Sequence, residues 1–186
     1  TVDVCNEDTD QCDNTPDDTV CNDRDVCTDD TCDPLDDCQN VCDSSNDDAE
    51  CFLEIANLIW DDSDDSNENG DQTDDGIGIG NVAIDILSCE NGVATQSVGM
   101  VETGVDGSYS FRLPTCTAET LAVKVKDINF DSGNSLEGYS GTLPDQTTEA
   151  LDSDCSVLEH QTVCRNIARG TIDNDADCGF FMQPPP

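Results

Sequence analysis

Apolar residues recur at every second position along several short segments of the chain. Successive side chains of a β-strand point to opposite faces of the sheet, so this spacing predicts strands with one buried face. The clearest sets are Val82, Ile84 and Ile86; Tyr109, Phe111 and Leu113; and Leu121, Val123 and Val125.

Turn-forming residue pairs separate these segments, and no segment shows a sustained helical period. Short strands divided by such turns are typical of a β-sandwich, which we predict for residues 52–186. The turn pairs are Asn69-Gly70, Asn91-Gly92, Asp106-Gly107 and Ser132-Gly133.

Residues 1–51 differ in composition from the rest of the chain, since they contain eight of the 13 cysteines and few aliphatic side chains. Such a segment cannot bury enough apolar surface to offset its chain entropy, so its order must come from disulfides, each worth roughly 2–4 kcal/mol. Zinc does not fit, because there is no Cys-x-x-Cys pair and the single histidine, His160, is distant in sequence. We therefore predict a small disulfide-stapled, cysteine-rich module before the sandwich.

The cysteine content also predicts an oxidising compartment. The sequence starts at Thr1 without a basic, apolar leader, so we expect a signal peptide to have been removed and the protein to be extracellular or at the cell surface. No apolar run approaches the ~20 residues that span a bilayer, so membrane insertion is not expected.

Acidic residues outnumber basic ones by 43 to 6, which gives a net charge of −37. Nucleic acid is excluded as a partner, because its phosphates are bound by clustered Lys and Arg. Self-repulsion at this charge opposes a compact state unless cations neutralise part of it. Of the acidic residues, 33 are Asp, the residue that dominates calcium loops. Adaptation to high salt is the alternative explanation of the charge.

The first candidate cation site is an acidic loop that follows Trp60. It carries oxygen ligands at alternate positions and a glycine, Gly70, at the sixth, as an EF-hand loop does. Gly76 stands where an EF-hand has a bidentate Glu, so the helix-flanked motif itself is not met. A solvated acidic loop is the alternative. The candidate ligands are Asp62, Asp65, Asn67, Asn69, Asp71, Asp74 and Asp75.

Two further candidate cation sites lie later in the chain, so we predict several bound Ca²⁺ ions. Mg²⁺ fits less well, because it retains water and seldom fills a site made only of protein ligands. The second candidate set is Asp127, Asn129 and Asp131; the third joins Asp152 and Asp154 with Asp173 and Asp175 across neighbouring loops.

Four motifs follow one another in a recognisable order after residue 52. They are Ile55–Trp60 before the acidic loop; Gly76-Ile77-Gly78-Ile79-Gly80; Thr103-Gly104-Val105-Asp106-Gly107-Ser108-Tyr109-Ser110-Phe111; and Asp177-Cys178-Gly179-Phe180. This order resembles the calcium-binding B-type repeats of serine-aspartate surface adhesins of Gram-positive bacteria, although the cysteines are foreign to that pattern. The resemblance implies a prealbumin-like, or Ig-like, sandwich that holds calcium ions.

A second resemblance covers residues 21–42. The run Cys27-Thr28-Asp29-Asp30-Thr31-Cys32 is similar to the Cys-Thr-x-Asp-x-Cys repeats of extracellular cysteine-rich proteins. That resemblance implies a spacer or adhesive repeat without catalytic chemistry.

Five cysteines follow Cys51, and the strand pattern suggests pairings for them. We expect the last strand to lie beside the first strand of the sandwich, which favours a Cys51–Cys178 bond. Cys89–Cys116 and Cys155–Cys164 are the other expected pairs. Because 13 is odd, one cysteine lacks an intrachain partner. We predict that it is Cys5, Cys12 or Cys21.

Catalysis is not expected, because a lone histidine cannot form a Ser-His or Cys-His pair with a second candidate base. The leading prediction is a structural subunit that self-associates into a homopolymer, such as a surface filament, fibre or matrix. An adhesin or spacer module that binds a host or matrix ligand is the second possibility. An acidic calcium-buffering or mineral-interacting protein is the third.

Overall fold

The computed structural model describes residues 2–6, 11–15, 21–33, 37–43, 45–46, 48–63, 77–144 and 152–183. These ranges contain strands and two short 3₁₀ helices, Ala49–Cys51 and Asp127–Phe130. No helix within them is long and apolar enough to cross a membrane. The strands are β1 (Val2–Asn6), β2 (Gln11–Thr15), β3 (Thr28–Asp33), β4 (Asp37–Cys42), β5 (Phe52–Asp61), β6 (Ile77–Gly78), β7 (Ala83–Glu90), β8 (Val93–Glu102), β9 (Ser108–Pro114), β10 (Glu119–Val125), β11 (Tyr139–Gly141), β12 (Arg165–Ile167), β13 (Ile172–Asp173) and β14 (Cys178–Met182).

Two sheets form the sandwich. The first has the strand order β12-β10-β7-β8, and its central strands β10 and β7 are antiparallel, with Val123 opposite Ile86. The second is built around β5, which pairs antiparallel with β9 and β6 and parallel with β13 and β14, while β11 pairs with β14. The strand pairs β1–β2 and β3–β4 form two separate hairpins nearer the N-terminus.

The core lies between the two sheets. Ile55 and Ile59 of β5 face the same interior as Ile84 and Ile86 of β7, and all four are fully buried. Tyr109 is also buried, and its neighbours on the same face of β9 are partly buried. The alternating pattern in the sequence therefore predicted the inward faces of β7, β9 and β10 correctly, and the fold is the expected all-β sandwich.

The last strand, β14, lies beside β5 as expected, but the two strands are parallel. Cys178 is therefore in register with Ile59, near the end of β5, whereas Cys51 precedes the start of that strand. Eight residues of extended chain span about 26 Å, whereas the Cα atoms of a disulfide are about 4.4–6.8 Å apart. The expected Cys51–Cys178 bond is therefore wrong.

All six cysteines in the expected pairs are bonded, but to other partners. The described residues contain five disulfides: Cys21–Cys38, Cys27–Cys51, Cys42–Cys116, Cys89–Cys164 and Cys155–Cys178.

The expected pairs Cys89–Cys116 and Cys155–Cys164 are wrong because each cysteine meets a different segment. Cys116 follows Thr115, whose N–H donates to the carbonyl of Cys51 at 2.9 Å, so this turn lies against the N-terminal region. In the first sheet, Ser88 of β7 and Arg165 of β12 are both in register with Leu121 of β10. The adjacent residues Cys89 and Cys164 therefore lie at the same level of the sheet.

Cys21 was one of the three candidates for the odd cysteine, and its bond to Cys38 removes it from that set. The remaining cysteines are Cys5, Cys12 and Cys32, whose side chains lie outside the described part of the chain. In the backbone register Cys5 is opposite Cys12, and Cys32 is opposite the already bonded Cys38.

Covalent and ionic contacts join the cysteine-rich segment to the sandwich. The Cys42–Cys116 bond links β4 to the turn after β9. Arg169 forms an ion pair with Asp25 at 2.5 Å, and the hydrogen bond from its guanidinium lowers the pKa of that carboxyl. Asp25 and Cys42 therefore tie the described part of the cysteine-rich segment to the sandwich.

Candidate metal centre

Two acidic segments run side by side at the end of β5, and both contribute to the third predicted cation site. The N–H of Asp154 donates to the carbonyl of Asp177 at 2.9 Å, and the N–H of Asp177 donates to Oδ2 of Asp154 at 3.3 Å. We call the five carboxylates of these segments the carboxylate cluster: Asp152, Asp154, Asp173, Asp175 and Asp177.

The chain between β13 and β14 is positioned by side chains of β5 and β9. The hydroxyl of Tyr109 donates to the carbonyl of Ala176, and the side-chain amide of Asn57 donates to the carbonyl of Asn174. The same amide donates to Oδ2 of Asp177 at 2.9 Å. Because β13 and β14 both pair parallel with β5, the connection between them is held against the sheet.

Asp177 is the most buried member of the carboxylate cluster, with an exposed fraction of 0%. Its Oδ1 atom is buried and has no hydrogen-bond partner among the described residues. Burial, together with the negative charges of Asp154 and Asp152, raises the pKa of Asp177 to about 8. The nearby indole of Trp60 opposes this shift, although its Nε1 atom does not meet hydrogen-bond geometry.

Arg165 is the cation that faces the carboxylate cluster in the described part of the molecule. Its Nε atom lies 2.7 Å from Oδ2 of Asp173, and its other nitrogens lie 3.4 Å from Asp175 and 3.7 Å from Asp154. One guanidinium is therefore shared by three of the five carboxyl groups, and the ionised cluster carries an excess of negative charge.

The third predicted cation site contains four members of this cluster and omits Asp177 and Arg165. Asp177 was assigned only to the Asp-x-Gly-Phe motif at the start of the last strand, because nothing in its spacing shows that it turns inward. Arg165 stands apart from the acidic runs in the sequence. No local sequence signal identifies either residue as part of the cluster.

Asp62 belongs to the first predicted cation site and is fully buried just after β5. The hydroxyl of Thr142 donates to its Oδ2 atom, and its own N–H donates to the carbonyl of Phe180 at 2.8 Å. The other candidate ligands of that site lie outside the described residues: Asp65, Asn67, Asn69, Asp71, Asp74 and Asp75.

The second predicted cation site is folded differently from the sequence pattern. Residues 127–130 form a 3₁₀ helix, which turns the Asn129 side chain inward while Asp127 and Asp131 stay exposed. The amide of Asn129 donates to the carbonyls of Ala83 and Lys126 at 2.7 and 2.8 Å and accepts from the N–H of Ala83 at 2.9 Å. Asn129 thus clamps the start of β7 to this turn.

Within the described ranges, no three Asp, Glu, His or Cys side chains are already arranged as the ligands of one metal ion. The carboxylate cluster nevertheless has the chemistry that a hard cation requires. It offers several oxygen atoms, little competing positive charge and a buried carboxylate oxygen without a donor.

His160 has a packing role rather than lying free on the surface. It is half-buried, and its ring stacks on Phe130 with 4.3 Å between the ring centroids. Burial lowers its pKa below the usual value.

Comparison with known proteins does not assign the chain to a family. No family model matches the sequence, and no curated protein matches it significantly. The two resemblances drawn from the sequence motifs therefore remain predictions.

Proposed function

We propose that this chain is a Ca²⁺-stabilised structural subunit of an extracellular surface assembly, such as a filament, fibre or matrix. The observation that carries the proposal is the burial of two carboxyl groups, Asp152 and Asp177, in a carboxylate cluster that has a single guanidinium beside it. Asp177 is 0% exposed and Asp152 is 3% exposed.

Burying an ionised carboxylate is expensive unless an opposite charge is buried with it. Arg165 offsets part of the charge of Asp154, Asp173 and Asp175. A Ca²⁺ ion held by Asp152, Asp154 and Asp177 would supply the missing positive charge, and oxygen-rich sites of this kind suit Ca²⁺ better than the smaller Mg²⁺.

A structural role follows from the way the chain is made rigid. Five disulfides staple the described residues, and one of them, Cys42–Cys116, ties the cysteine-rich segment to the sandwich. A net charge of −37 keeps separate copies apart, so bound cations would favour both folding and association. Ca²⁺ outside the cell would then control assembly.

Thermal melting with Ca²⁺ and with EDTA tests the metal dependence. Binding to the folded state stabilises it by RT ln(1 + [L]/Kd), about 2.7 kcal/mol at a hundredfold excess over Kd. We expect EDTA to lower Tm, and Asp177→Asn with Asp154→Asn to reduce the response to Ca²⁺. Glu90→Gln, an exposed carboxyl away from the cluster, is the matched control.

Electron microscopy of the same samples tests the assembly. Ordered polymers should form with Ca²⁺ and disperse on chelation. A Tm that does not change with EDTA would contradict the proposal, as would polymers that form equally well in EDTA. Sodium chloride that restores Tm as fully as Ca²⁺ would favour adaptation to salt instead.

A further inference from the structure

The strand β8 is a long exposed edge of the first sheet. It pairs with β7 on one side, and no strand among the described residues pairs with its other side. Seven of its ten residues are exposed. The opposite edge of the sheet is the three-residue strand β12, so β8 presents by far the longer row of free backbone N–H and C=O groups.

This edge coincides with the longest stretch of the sequence without a charge, the eleven residues 91–101. Natural proteins usually protect an exposed edge with Lys, with Pro or with inward-pointing charges. β8 has only Glu102 at its end and two irregularities in its pairing with β7. Its exposed apolar side chains include Val98 and Met100, the latter 66% exposed.

A net charge of −37 makes the absence of charge here informative. Two copies that approach through most of their surface bring carboxylates together, which costs energy. The uncharged edge is where two copies can meet with little repulsion, and extended backbone is recognised by adding a strand to a sheet.

We propose that β8 pairs antiparallel with β8 of a second copy of this chain, so that the two first sheets join into one continuous sheet. This inference rests on the proposed self-association and identifies one of its contact surfaces. An antiparallel pair centred on Val98 places Glu102 opposite Ala94 of the second copy, so no two carboxylates of the strands face each other. The same surface patch then serves both copies, as in a two-fold dimer.

Charged substitutions on the edge test the pairing. Val98→Lys with Met100→Lys places like charges across the joined strands, which opposes pairing. Val105→Lys with Leu158→Lys changes the net charge equally at residues that are 92% and 91% exposed and lie outside β8. Sedimentation in the presence of Ca²⁺ measures the association of each variant. We expect the edge variant to associate at least about tenfold more weakly than the wild type, and the control variant to associate as strongly as the wild type.

Hydrogen exchange locates the contact independently of the variants. In the wild type, backbone amides of residues 91–102 should exchange more slowly in associated than in dilute protein, and those of residues 108–114 should not change. Wild-type protein that stays monomeric with Ca²⁺ would overturn the proposed assembly and this pairing together. Association of the edge variant at wild-type strength, or no added protection in β8, would overturn the pairing alone and leave the proposed function standing.

Discussion

Asp154 and Asp177 are held together by their own backbones. The N–H of Asp154 donates to the carbonyl of Asp177 at 2.9 Å, and the N–H of Asp177 donates to the Asp154 carboxylate at 3.3 Å. The Cys155–Cys178 disulfide joins the next residue of each segment. These two acidic residues therefore cannot move apart to relieve their repulsion while the fold is intact.

This constraint predicts how stability depends on pH in the absence of metal. The pKa of Asp177 is raised from 3.8 to about 8 by burial and by the neighbouring carboxylates. The folded protein then holds a proton that the unfolded chain has lost, so the contribution of this group is full below about pH 4 and disappears as the pH rises through about 8.

Denaturation in EDTA across this pH range measures that contribution. The free energy of unfolding of the wild type should fall more steeply with rising pH than that of Asp177→Asn. Glu90→Gln should keep the wild-type slope. Added Ca²⁺ should flatten the wild-type slope, because a bound cation favours the ionised carboxyl. Parallel curves for the wild type and Asp177→Asn in EDTA would show that this carboxyl does not titrate as the structure indicates.

The clamp made by Asn129 predicts a loss of stability that does not depend on metal. Asn129→Ala leaves the part-buried N–H of Ala83 without its acceptor and removes one of the two donors to the Ala83 carbonyl, which also accepts from the N–H of Lys126. The substitution should cost about 1–3 kcal/mol. Exposed Asp131, from the same candidate site, provides the control substitution Asp131→Asn. Denaturant unfolding in Ca²⁺ and in EDTA should give the same loss for Asn129→Ala. A loss confined to Ca²⁺ would instead make Asn129 a metal ligand.

The contact between β14 and β5 predicts that Gly179 tolerates no side chain. A Cβ atom there would lie 2.4 Å from Cγ2 of Thr142 and 2.6 Å from the indole ring of Trp60. Gly179→Ala should therefore cost about 3 kcal/mol or more, because neither neighbour is a flexible chain end. Gly92→Ala is the comparison: it has open space but a φ of +79°, and should cost about 1 kcal/mol. Similar Tm values for the two variants would contradict the packing.

The sequence predicts which residues face the core better than it predicts which segments meet. Ile84 and Ile86 are buried because a period of two is a property of the strand itself. The pattern does not specify the direction of a neighbouring strand, so the parallel register that places Cys178 beside Ile59 could not be predicted from it.

The candidate cation sites also show that local sequence spacing does not predict which residues meet in the fold. Alternation of Asp127, Asn129 and Asp131 predicts convergent ligands only if the loop is suitably shaped, and the 3₁₀ helix instead turns Asn129 into the protein. The sequence joined Asp152 and Asp154 with Asp173 and Asp175 in one candidate site. The inward position of Asp177 and the approach of Arg165 depend on long-range packing that no local spacing encodes.

The Cys42–Cys116 bond gives the last prediction, because among the described residues it is the disulfide that joins the cysteine-rich segment to the sandwich, across 74 positions of sequence. Cys42→Ser with Cys116→Ser should lower the free energy of unfolding by about 2–4 kcal/mol, since the unfolded chain gains freedom.

Digestion of unreduced protein with an aspartate-specific protease, followed by mass spectrometry, should recover the peptides of Cys42 and Cys116 as one linked species. A peptide that links Cys89 to Cys116 would contradict this arrangement. Alkylation before digestion should label Cys5, Cys12 or Cys32 and leave Cys42 and Cys116 unmodified, because each of these two is already bonded to the other.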